Sequence, residues 1–238
     1  MLTHHIALVN QTVHINSAEL SRVSAALQKQ VTRDLSPIWQ IQATVDAFEN
    51  SKDVPAGYWP IFVRDDIHEP GAEGYHTDRN HQPYSLVRYG SSWALTASHE
   101  LCEMLADPFG NRMVGSGSIV KNQGRVNYLV EICDPCESEQ FAYSVNGILL
   151  SDFYTPHYFD PVRSSSIRYS FTGSIKEPKQ ILKEGYLSWL DPETDKWYQA
   201  TFFGSKPSIR EISSKMNTVK GPFRERIRGL EEINGLTD

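Results

Sequence analysis

The chain has 238 residues, 39% hydrophobic and 22% charged, an ordinary globular balance that excludes wholesale disorder and allows a sizeable core. Its formal net charge of −6 argues against a nucleic-acid surface, which needs clustered Lys and Arg, and the basic run 224–228 is broken by Glu225 and reads as a solvated tail helix. Three cysteines suggest no disulfide framework, no segment nears the roughly 20 apolar residues of a membrane span, and Met1-Leu2-Thr3-His4-His5 lacks a basic leader, so a cytoplasmic location is expected.

In chain order, residues 6–15 read as a strand. Asn16 caps a helix, with Glu19 placed for a capping box, and Leu20, Val23, Leu27 and Val31 form its apolar face until Ser36-Pro37. Residues 39–47 alternate as a half-buried strand. Residues 58–63 form another, with Pro60 suggesting an edge or bulge. Residues 65–82 are polar and predict a long surface loop, in which His76, Asp78 and His81 read as an exposed turn or, alternatively, a lid. Residues 84–89 are a short strand.

A second helix spans residues 93–107, capped by Ser91 or Ser92 and ended by Pro108 and Gly110. Residues 128–136 read as a buried strand ending in a turn, and strand-like pieces follow at 143–150 and 167–171. Residues 186–190 and 197–203 form a hairpin around Asp191-Pro192-Glu193-Thr194-Asp195. The sequence thus divides into a single domain, 1–205, and a polar C-terminal tail, 206–238.

The second helix carries the chemistry. Most of its positions are apolar or small, so it is buried on most sides. At about 100° per residue, Thr96, His99, Glu100, Glu103 and Asp107 fall within an arc of roughly 100°. Carboxylates removed from water need a cation, and the helix holds no Lys or Arg. A divalent metal meets that need. His99 and Glu103, spaced i and i+4, can reach one ion, and Glu100 is placed to act as general base on a water. Asp107 lies about 6 Å further along the axis than Glu103, which gives it a supporting role. The third ligand is expected from Glu131 or Asp134, again carboxylates in an apolar stretch.

A rival reading takes His99 with Cys102, Cys133 and Cys136 as a structural zinc site of one imidazole and three thiolates, although it leaves Glu100 and Glu103 unexplained. His157 and Tyr154 read as surface or packing residues, with oxyanion stabilisation as the alternative. His4, His5 and His14 receive no functional reading.

The segment Ser98-His99-Glu100-Leu101-Cys102-Glu103-Met104-Leu105-Ala106-Asp107-Pro108, followed by Glu131-Ile132-Cys133-Asp134-Pro135-Cys136, resembles a zincin-like metallopeptidase family with SHExxExxxDP and EIxDxC motifs. The plant phosphate-induced (EXORDIUM-like) proteins are its distant relatives. The resemblance also touches residues 10–39, Tyr75-His76, Pro83-Tyr84 and Ser151-Asp152-Phe153. It implies an α+β, zincin-like fold, with a mixed sheet packed on a central active-site helix and a β-rich C-terminal part. The chemistry of the stripe itself predicts a metal-dependent hydrolase acting on a peptide or protein substrate, through an HExxE motif in which Glu103 departs from HExxH. Zn2+ is the first expectation for the metal, with Mn2+ or Ca2+ as alternatives. A non-catalytic zincin-like protein with a bound ion is the competing function.

Overall fold

The computed structural model describes residues 2–213. It is an α+β structure made of two compact units, one formed by described residues 2–109 and 142–151 and the other by 110–141 and 152–213. The sequence had pointed to one domain over 1–205. The basic run 224–228 and most of the predicted tail lie outside the described residues, but residues 208–211 already form a strand, so the sheet runs past the expected boundary at 205.

The first unit is built on a mixed five-stranded sheet. Strands β1 (Thr3–Gln11), β2 (Gln42–Phe48), β3 (Trp59–Arg64) and β5 (Gln82–Arg88) run parallel, and β4 (Gly74–Arg79) pairs antiparallel with β5 at the edge. Their order across the sheet is β2-β1-β3-β5-β4. Strand β1 is covered on both faces, which is why Ile6, Ala7, Leu8 and Val9 read as an unbroken apolar run. Pro60 does not mark an edge, because β3 lies between β1 and β5. It is tolerated near the start of the strand, where pairing to β5 begins only at Ile61.

Helix α1 (Ser17–Lys29) starts as expected, with the Asn16 side chain accepting from the Glu19 amide at 2.9 Å. The return half of the capping box is absent, since the Glu19 carboxylate accepts from the Trp93 indole instead. The helix continues as a π-helical stretch at Gln30–Leu35 and the short α2 (Ser36–Trp39), which ends on Gln40 in the left-handed region. Gln28 clamps α1 to the sheet, donating to the Ala43 carbonyl and accepting from the Val45 amide.

Strands β8 (Tyr143–Val145) and β9 (Ile148–Leu150) form a hairpin around Asn146-Gly147, both with positive φ, as a two-residue turn requires. Helix α3 (Trp93–Ala106) packs against β4, β5 and β9, and Ser92 supplies no side-chain cap at its start. A buried ring of polar bonds ties α3 to the rest of the unit. Ser98 Oγ donates to Gln30 Oε1 and accepts from the Ser151 amide, while Gln30 Nε2 donates to the Ser151 carbonyl.

The second unit holds an antiparallel sheet. Its strands are β6 (Met113–Gly117), β7 (Arg125–Leu129), β10 (Tyr186–Asp191), β11 (Lys196–Thr201) and β12 (Ser208–Glu211). They lie in the order β12-β11-β10-β7-β6. The predicted hairpin is β10-β11, but residues 167–171 contribute only one bridge, Tyr154 to Ser170. Tyr128, Tyr154, Tyr158 and Trp189 are fully buried, with Tyr154 stacked on Tyr158 at 4.3 Å between ring centroids. The exposed His157 pairs with Asp160.

Buried phenols make the fold sensitive to alkali. Burial pushes Tyr128 up to about 12, and it also raises Tyr158 and Tyr143, with nearby Cys136 and Cys102 adding in the same direction. A raised folded-state pKa gives stability that is complete below about pH 10, the unfolded value, and lost as pH rises through the folded one. Tyr128 alone is expected to cost on the order of 3 kcal/mol between about pH 10 and 12. Urea denaturation across that range should show the fall, and Tyr128→Phe should make it shallower.

Candidate metal centre

Four titratable side chains of the first unit meet between β4 and α3. Helical spacing puts His99, Glu100 and Glu103 on one stripe, as predicted, and the surrounding apolar positions bury it. Glu103 is 0% exposed, and the His99 side chain retains 15%. His99 Nε2 lies 3.2 Å from Glu103 Oε2, so the i and i+4 pair does converge.

The fourth residue is one the sequence placed wrongly. His76 was expected in an exposed turn or lid, but it lies on β4 and is fully buried. Its Nδ1 is 3.5 Å from Glu100 Oε2 and 3.8 Å from Glu103 Oε2, and its Nε2 is 3.0 Å from the Asp107 carbonyl oxygen. Asp78 and His81 do form the exposed turn. His81 donates its amide to the Asp78 carboxylate, and Asn80 and His81 both take positive φ to close the β4-β5 hairpin. The strand was hidden because Gly74-Tyr75-His76-Thr77-Asp78-Arg79 lacks an apolar alternation and its turn has no glycine. The signal that could have found His76 was the resemblance at Tyr75-His76.

Gly74 sets how closely β4 approaches α3. A Cβ there would stand 2.5 Å from Thr96 Cγ2 and 3.1 Å from both Cγ and Oε1 of Glu100. Thr96 has little freedom to give way, since its hydroxyl is bonded to the Ser92 carbonyl one turn back. Gly74→Ala is expected to cost about 1–3 kcal/mol, the usual range for overpacking, and to displace Glu100. A urea midpoint equal to that of the wild type would contradict this contact.

Glu131 and Asp134 belong to the second unit. Strand β7 stops at Leu129, earlier than predicted, and Val130 and Ile132 use their backbone groups on Arg112 and Tyr154. Both carboxylates are buried, as the apolar setting implied. Asp134 opens the turn Asp134–Cys136, whose carbonyls lie so close to Gly185 that a Cβ there would be 2.7 Å from two of them. All three cysteines are buried and unbridged. Among the described residues, the groups of side chains compact enough to hold an ion contain no cysteine.

One ligating atom each from His76, Glu100 and Glu103 lies within 4.8 Å of the others, so these buried groups can hold a metal ion. The donor set of imidazole and carboxylate fits a divalent cation of the Zn2+ or Mn2+ kind, and its carboxylate share also suits Ca2+. Among the described residues, no helix is long and apolar enough to cross a membrane. No family model, curated protein or solved structure matches this chain.

Proposed function

We propose that the protein is a metal-dependent hydrolase of the zincin-like kind, acting on peptide or other amide bonds. The observation that carries this reading is the 3.2 Å approach of His99 to Glu103 on a buried helix that sets Glu100 beside them. The packing of α3 on strands of a mixed sheet supports this reading.

In this reading His99 and Glu103 hold the ion. Once bound, a divalent ion supplies Lewis acidity toward the substrate carbonyl and lowers the pKa of water. Glu100 accepts a proton from the attacking water as its oxygen bonds to the carbonyl carbon. The same carboxyl then passes that proton to the nitrogen as the C–N bond breaks. Burial keeps Glu100 in one place and excludes bulk water around it.

A second reading, a non-catalytic binding or structural protein whose ion secures the fold, draws on the depth of Glu103, because closed sites are typically structural. Its carboxylates would also weaken the Lewis acidity of the ion. Metal analysis of protein purified without added metal, followed by assay of the Zn2+- and Mn2+-loaded forms on a broad peptide library, tests both. Bound metal with cleavage supports the enzyme. Bound metal without cleavage supports the scaffold, and no metal at all removes both readings.

A further inference from the structure

We infer that His76 is a ligand of the same ion, bound through Nδ1 from strand β4. The inference rests on the metal-binding reading above and extends it to a side chain that no spacing on α3 could supply.

Its first support is the tautomer. His76 Nε2 lies 3.0 Å from the carbonyl oxygen of Asp107, and a carbonyl oxygen only accepts, so Nε2 carries the hydrogen. In a neutral imidazole that leaves Nδ1 with a lone pair. Metal-binding histidines are commonly fixed in this way, the second ring nitrogen donating to a backbone carbonyl. Here the acceptor is the residue that caps the C-terminus of α3, so the helix that presents Glu100 and Glu103 also orients the imidazole facing them.

The second support is spacing. Nδ1 stands 3.5 Å from Glu100 Oε2 and 3.8 Å from Glu103 Oε2, and Glu103 Oε2 stands 3.2 Å from His99 Nε2. Charge-assisted hydrogen bonds between such groups are shorter, about 2.7–2.9 Å. Donor atoms bound at about 2.0–2.2 Å around one tetrahedral ion stand about 3.4 Å apart, close to the spacing of His76 Nδ1 from the two carboxylates, and these three groups offer ligand atoms within 4.8 Å of one another. A buried imidazole and two buried carboxylates at these distances form a group that suits a cation.

The competing account is a metal-free imidazolium salted between the two carboxylates. Two measurements on the full chain separate the accounts. Chelator competition with Zn2+ should show His76→Gln weakening affinity by more than about 100-fold, beyond the 10–100-fold typical of a residue that only supports a ligand, with the fold checked by circular dichroism. Wild-type protein labelled with 15N-histidine and loaded with 113Cd2+ should show one-bond cadmium coupling at His76 Nδ1 and a proton on Nε2. This second measurement stands even if the variant fails to fold. Protons on both ring nitrogens of His76, or no coupling in cadmium-loaded protein, would overturn the inference. If His99→Ala and Glu103→Gln release Zn2+ while His76→Gln keeps it, the inference falls and the metal site survives. If the wild type binds neither Zn2+ nor Cd2+, both fall together.

Discussion

Glu103→Gln is expected to lower Zn2+ affinity by more than about 100-fold, beyond the 10–100-fold typical of residues that only support a ligand. Glu103 is the shared point of the centre. Its Oε2 lies 3.2 Å from His99 Nε2 and 3.8 Å from His76 Nδ1, and the residue is fully buried. The glutamine keeps the shape and removes the charge, so the loss reads electrostatics with little change in packing. Metal-free stability distinguishes the alternatives. If the carboxylate is held by histidine cations without a metal, breaking that buried pairing costs about 3–5 kcal/mol in apo protein. If it is held by the ion, apo Glu103→Gln is no less stable than apo wild type, because one buried negative charge has gone. Chelator competition and urea denaturation of the two apo proteins give both readouts. Unchanged affinity with a destabilised apo form would end the metal reading.

The helical part of this centre was legible because period and polarity act together there. The 14 residues of α3 are mostly apolar or small, so the helix is buried and its large polar groups fall on one stripe. His99 meets Glu103 for that reason, and Glu100 shares the buried stripe with them. Helix α1, its Asn16 cap and the β10-β11 hairpin were readable on the same grounds, since each carries its own local signal.

What the sequence hid depends on tertiary context. Strand β4 gains its stability from pairing with β5 and from covering α3, neither of which leaves an apolar alternation in Gly74–Arg79. His76 was lost with it, because a buried histidine in a polar stretch looks the same as one in a solvated turn. Pro60 misled for a related reason. A proline forbids one ladder bond, not a whole interior position, and β5 simply begins its pairing one residue later. Residues 167–171 erred in the opposite sense. Their apolar content serves an irregular stretch held by Asp152, which accepts from Thr172 and Ser174, and no neighbouring strand extends the ladder among the described residues.

Glu100→Gln is expected to leave Zn2+ bound and to reduce hydrolysis about 10²–10⁴-fold, the range for removing a general base. The two glutamates differ by place as well as by role. Glu103 sits between two imidazoles, whereas Glu100 meets His76 at 3.5 Å and rests its other oxygen near Gly74. Glutamine in this position keeps the volume between β4 and α3 and still offers an oxygen, so the geometry that Gly74 permits is retained. It cannot take a proton from water at neutral pH. A general-base role therefore predicts loss in kcat with little change in metal content, and a substrate KM close to the wild-type value. A ligand role for Glu100 predicts that metal content falls with activity. Steady-state kinetics and metal analysis on the same preparation decide between them, and a variant that keeps both its metal and its full rate would remove Glu100 from the mechanism.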